Sequence, residues 1–509
     1  MLVGNSSRAS PPQVAPKSVV GCCMSSRKYL VFAVLAASLS LSSCSGVHNR
    51  CTTNCVVNGD ALLSVSISDA PPTNTTIVSF TLPIIGISLT SSSGSQVSVL
   101  SSGTAANFEL TRLQSDSDVV VTNASVATGT YTAVNVTVGA ASGTFINNSG
   151  AAVGACPAAN PFSVCGLPNG VTTTITVPIN LTLTTDAHQW LDLDFNYNNA
   201  IVTTGGIGID MQQTNVLTAT TTVPTGVSSG DFANVDDFTG RVTAVSSGSI
   251  KLTSTVRGTL TASINSSTQV FDPQGQCSGG VGSLSCIGVG SIVSLQGVLT
   301  NTGTVVATSL DVIDSATSPA DEVEGTIYPS NCNGGSNFGL IISDSSIITS
   351  GSPLATAGFG SGVCLTVSPT ATFPVDFGIL TGQPGLPAQN SPGFKTTSDL
   401  LAGQTIRAKI TGAATGTNNL INATATAMIL RFSRLTGTVG IASGTAFTVT
   451  GLPSYITAFT VPPSVQTYTN ATLFENAANL SGAVSISALF YNPIGGPTQP
   501  LQAAKVREP

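Results

Sequence analysis

Charge is what this sequence has least of. Only 8% of its 509 residues are Asp, Glu, Lys or Arg, against about 25% in ordinary soluble domains. There are two histidines, His48 and His188, and one tryptophan, Trp190. So little imidazole and charge leaves scant material for proton-transfer catalysis. The 16 Lys and Arg are outnumbered by 23 Asp and Glu, which excludes a nucleic-acid partner, since that needs concentrated positive charge. A membrane-spanning helix is also missing: the longest apolar run, Tyr29 to Leu41, is well short of the ~20 residues that cross a bilayer core. What is present is apolar and small. Hydrophobic residues make up 41% and alternate with Ser and Thr, which argues for packed structure rather than disorder. The length suggests about three to five domains.

The apolar run has the flanks of an export signal. Arg27 and Lys28 precede it, and Leu41-Ser-Ser-Cys44 closes it. A positive segment, a short apolar core and small residues before the cut define a signal peptide. The closing tetrapeptide resembles a bacterial lipobox, which implies that Cys44 is acylated and becomes the mature N-terminus. Met24 then becomes the expected true start, because 23 residues before it make too long a positive segment. After Cys44 twelve basic residues face 23 acidic ones, a net charge of −11. Such a chain is not drawn to anionic lipid, so the acyl chain must do the holding. Ser45 after the lipidated Cys implies, by the same resemblance, the outer membrane.

Eight further cysteines fall into four local pairs: Cys51 with Cys55, Cys156 with Cys165, Cys277 with Cys286, and Cys332 with Cys364. Beside Gly, Pro and Asn they read as loop staples formed in an oxidising compartment. His48, Cys51 and Cys55 offer a metal only three ligands where structural zinc takes four, so no metal is expected there.

Period-2 alternation runs along the body of the chain. Leu63, Val65 and Ile67 alternate with Ser; Leu191, Leu193, Phe195 and Tyr197 alternate with Asp and Asn. Strands of this kind bury one face and wet the other. The expected fold is all-β: an antiparallel β-sandwich-like domain followed by three small β-barrel-like repeats.

Residues 60–217 carry DALLSVSISDAPP, FELTRLQ, GTYTAVNVTV and WLDLDFNYNNAIV in that order. The order resembles the bacterial family called domain of unknown function 4382, which brings no established activity. Residues 237–509 read as three divergent copies of one unit, opened by Gly240 in FTGRV, Gly325 in VEGTI and Gly437 in LTGTV. The unit resembles domain of unknown function 5666, a small barrel-like module of secreted bacterial proteins. The expected divisions are 1–43 signal, 44–59 tether, 60–217 sandwich, 218–236 linker, then repeats over 237–315, 316–432 and 433–509.

The chemical motifs are thin. Gly226-Val-Ser228-Ser-Gly230 has the spacing of a nucleophile elbow, but no His follows it, and the elbow requires one. Asp192 and Asp194 fall on one strand face and are expected to be solvated, able at most to touch a weak cation or a sugar hydroxyl. Trp190 beside them is expected in the core, with stacking on a sugar ring the other reading. Asp321, Glu322 and Glu324 mark a repeat boundary and are expected as a solvated acidic turn or a weak calcium site. Asp116 and Asp118 are expected at a hairpin tip. No cofactor is expected beyond weak calcium.

Together these features describe a lipid-anchored protein of the cell envelope with a non-catalytic structural, adhesive or ligand-binding role. Its partners would be the membrane and an envelope glycan or protein. A secreted hydrolase of polysaccharide or ester, and a soluble periplasmic binding module, are the alternatives.

Overall fold

Strings of Val, Ile, Leu and Thr at period 2 form strands almost throughout the computed structural model. It describes residues 59–508 apart from 71–75, 102–105, 159–162, 204–206, 228–229, 273–274, 278–283, 316–319, 331–336, 387–392, 417–420, 444–445, 457, 460, 478 and 492–499. Cys44, His48, Cys51, Cys55, Ser228 and Cys332 lie outside the described residues. Among the described residues helix is confined to single turns such as Leu110–Arg112 and Tyr197–Ala200. The fold is all-β and multidomain.

The first domain packs two sheets face to face. Ala61–Asp69, Ser117–Val126, His188–Phe195 and Leu217–Thr220 belong to one. Ile77–Ser91 is the long spine of the other, with Gly129–Val138 and Ser142–Asn147 beside it. Leu63, Val65 and Ile67 share one buried core with Phe80, Leu82 and Ile84. One pairing departs from the antiparallel expectation: Ala61–Asp69 runs parallel to His188–Phe195. Residues 218–236, expected as linker, supply strand at both ends. Leu217–Thr220 pairs with His188–Phe195, and Ala233–Val245 begins the next module.

Residues 233–507 repeat one cyclic pairing three times. In the first module Ala233–Val245, Ser249–Ser254, Gly258–Ser263, Val305–Asp314 and Ile292–Leu299 pair in that order and return to the start. In the second, Asp321–Ser330, Asn337–Ser346, Gly362–Thr372, Ile421–Arg431 and Thr405–Thr415 close a barrel. In the third, Ser433–Ser443, Ala446–Thr450, Ser464–Gln466, Leu501–Arg507 and Ala483–Leu489 pair in the same cyclic order. In each ring the third and fourth strands named are parallel and the other pairs antiparallel.

The three opening glycines have a steric reason. A Cβ on Gly325 would lie 1.8 Å from the carbonyl oxygen of Ile341, one on Gly437 2.6 Å from that of Thr450, and one on Gly240 3.0 Å from the backbone of Thr253. At that point in every ring the second strand's backbone passes close over the first, so a side chain would clash outright at Gly325 and Gly437 and crowd the Thr253 backbone at Gly240.

Disulfides Cys156–Cys165 and Cys277–Cys286 staple loops as expected. Cys364 is also disulfide-bonded.

Candidate functional site: a buried charge junction

The charges of this charge-poor chain are concentrated inside it. Of the eleven Lys and Arg among the described residues, eight make ion pairs, and seven of those eight have side chains no more than 7% exposed. Burial of Arg and Asp on this scale requires pairing, because an isolated buried charge is prohibitively costly.

Arg112 stands at the centre. Its single turn, Leu110–Arg112, is capped by Glu109, whose carboxylate also accepts from Ser79 Oγ at 2.6 Å and the Phe80 amide at 2.7 Å. That anchorage aims the guanidinium out of the first domain into the modules. Arg112 Nε donates to Asp236 at 3.2 Å, Nη2 to Asp237 at 2.6 Å, and Nη1 to Glu324 at 2.8 Å.

Asp236 and Asp237 can both point inward because the strand carrying them is bulged. Val235 faces Gly297 and Phe238 faces Leu295, so the two aspartates oppose the one residue Gln296. A bulge re-aims side chains that strict alternation would place on opposite faces. Arg434, opening the third module, bonds Asp236 at 2.7 Å and Asp237 at 2.6 Å. Arg431, ending the barrel's strand Ile421–Arg431, reaches Asp237 at 3.1 Å, Ser294 Oγ at 2.7 Å, and Asp376. Arg257 lies 4.6 Å over the Phe238 ring and pairs with Asp236 at 2.9 Å and Asp118 at 3.3 Å. Arg407 holds Glu322 at 2.6 Å and Ser346 Oγ at 2.9 Å. Lys505 pairs with Asp116, and Arg507 with Glu475 at 3.4 Å. First domain and all three modules thus meet in one network.

Several expected roles change. Asp321, Glu322 and Glu324 are at most 6% exposed and are not a solvated turn. The latter two face arginines, while Asp321 Oδ1 accepts the amides of Ile348 and Thr349 at 2.7 and 2.8 Å. Asp192 is buried as well, accepting Ser66 Oγ at 2.6 Å and Ser68 Oγ at 2.7 Å; Asp194 is half-buried beside it. These carboxylates leave water because the serine face of Ala61–Asp69 is covered along with its apolar face: Ser64, Ser66 and Ser68 are all buried. Trp190 is core, stacked on Phe232 with ring centroids 6.1 Å apart and donating Nε1 to Ser66 Oγ. Asp116 and Asp118 are buried in the junction rather than at a hairpin tip. His188 is exposed and bonded to Asn123.

The proton affinities divide into two groups. Burial would raise Glu324 and Asp237, but Arg112 and Arg431 hold Glu324 down to about 2, and Arg434, Arg112 and Arg431 hold Asp237 far below the ordinary range. Elsewhere burial wins. It lifts Asp116 to about 6 despite Lys505, Asp194 to about 6 despite Arg507, and Asp311 to about 7 despite Arg431.

Chemically, the junction spends its charge on itself. Its carboxylates are engaged by arginine, and the adjoining cavity beside Arg112, Arg434 and Tyr455 is about 40 Å³, the size of a water or two. Among the described residues no three His, Cys, Asp or Glu side chains are grouped to hold a metal ion. Sequence reasoning missed Arg112, Asp236, Asp237, Arg257, Arg407, Arg431 and Arg434. One signal was present: Asp237, Glu322 and Arg434 each stand three residues before their module's opening glycine.

These features define an all-β, multi-module protein locked by a buried Arg–carboxylate network. Residues 60–212 match the family model described as Domain of unknown function (DUF4382). No curated protein matches the chain.

Proposed function

We propose that this is an exported lipoprotein of the bacterial cell envelope, acylated at Cys44 and held at the outer membrane, whose β modules do non-catalytic structural, adhesive or ligand-binding work. The observation that carries the reading is the junction. It withdraws six of the seven described arginines into one interface and leaves a surface of the described residues dominated by Ser, Thr and Asn, suited to a rigid tethered body. Disulfides in two loops support a compartment outside the cytoplasm. The three modules are proposed as copies of a unit like domain of unknown function 5666, supported by their shared ring order and glycine position. Metabolic labelling with an alkyne fatty acid tests the anchor: label on the wild type, with loss of label and release from membranes in Cys44→Ala, is expected. An unlabelled wild-type protein refutes the lipoprotein reading.

A further inference from the structure

Between the polar face of the first module and the end of the third lies a cleft of about 210 Å³. Its floor crosses three neighbouring strands. Gln269 is in register with Ser309, and Ser309 with Gln296, so the three side chains stand in one row. Gln296 is 4% exposed and Ser309 1%. Both line the cleft, yet Gln296 Oε1 and Ser309 Oγ have no hydrogen-bond partner among the described residues. Buried polar atoms are nearly always partnered, because an unpartnered one bears its full desolvation cost. Two in register, facing one cleft, mark a place where a ligand supplies the missing bonds.

The lining sets the ligand's chemistry. Lys505, the one charged residue lining the cleft among the described residues, is already paired with Asp116, so neither an anion nor a cation finds a free counter-charge there. Val298 and Leu473 give the cleft an apolar side, Leu473 being 40% exposed. The volume is below the ~300 Å³ at which ordinary small-molecule pockets begin, which suits one ring rather than an extended chain.

We propose that this cleft binds a neutral, hydroxyl-rich ring, the terminal sugar of an envelope glycan. One sugar hydroxyl donates to Gln296 Oε1, a second exchanges a hydrogen bond with Ser309 Oγ, and the ring's C–H face rests on Leu473 and Val298. The proposal deepens the non-catalytic binding reading above and is independent of the lipid anchor.

The test is saturation-transfer NMR on the full chain with glucose, galactose, N-acetylglucosamine and lactose, each at about 10 mM to reveal millimolar affinity. Saturation transfer to at least one sugar is expected. Ser309→Ala and Gln296→Met should each weaken it about five-fold, the size of one neutral hydrogen bond. Their Tm should equal or exceed that of the wild type, because each removes an unpartnered buried atom. Three results overturn the proposal: no transfer to any sugar, transfer unchanged in both variants, or a lowered Tm in both, which would make the two atoms structural. Hydrolysis of lactose in the same tube overturns the non-catalytic reading and this proposal together. A protein that carries fatty-acid label on Cys44 but ignores every sugar overturns the cleft alone.

Discussion

Replacing Arg112 with methionine should unlock the junction. The side chain keeps its length and loses its charge, leaving three buried carboxylates without one of their partners. The loss is unequal. Asp236 retains Arg257 at 2.9 Å and Arg434 at 2.7 Å, and Asp237 retains Arg434 at 2.6 Å and Arg431 at 3.1 Å. Glu324 keeps only longer contacts, Arg431 at 3.4 Å and Arg407 at 3.5 Å. Removing one partner of a buried pair costs about 3–5 kcal/mol because the other charge stays buried, and that is a large part of a domain's ~5–15 kcal/mol. The effect should fall mainly on Glu324, so Glu324→Gln in the Arg112→Met background should recover part of it. Lowering the pH toward 4 should also shrink the loss, as the released carboxylate takes up a proton. Trp190 is a built-in reporter, being the sole tryptophan and stacked on Phe232 where the first domain meets the first module. Urea unfolding followed by its fluorescence and by far-ultraviolet circular dichroism should coincide in the wild type and separate in Arg112→Met. A loss under about 1 kcal/mol, typical of an exposed pair, or a loss independent of pH, refutes a junction that holds the modules together.

Stability should peak on the acid side of neutrality. Asp116 and Asp194 titrate at about 6 and Asp311 at about 7 in the fold, against 3.8 ordinarily; the folded chain therefore binds more protons than the unfolded one across that window, and stability falls as pH rises from about 4 to about 7. Glu324, lowered from 4.5 to about 2, has the opposite sign: its contribution is complete above the unfolded value and is lost as pH falls toward about 2. Melting temperatures measured from pH 3 to 8 should peak at about 4–5, and a maximum at neutral pH or above contradicts the assignment. Calcium at about 5 mM should leave the Tm within about 1 °C, since Glu322 and Glu324 already face arginines; a rise of several degrees in a chelator-controlled melt would reveal a site that this pairing does not foresee.

The sequence alone determined the local architecture. Alternation at Leu63, Val65 and Ile67 makes a strand because successive side chains point to opposite faces, and that rule needs no knowledge of the neighbours. Local cysteine spacing gave Cys156–Cys165 and Cys277–Cys286 for a similar reason, since closing a short loop is a near-neighbour event. Gly240, Gly325 and Gly437 were legible as recurrent openings, though the backbone crossing that demands them was not. What covers a polar face was decided only by tertiary structure. The serines of Ala61–Asp69, with Asp192 opposite, read as a wet face because alternation reports that two faces differ, never that the second meets water. Glu324 lies 212 residues from Arg112, and no pattern along the chain relates them. Their encounter follows from the packing of the first domain against three modules, and a buried charge chooses its partner by distance in space.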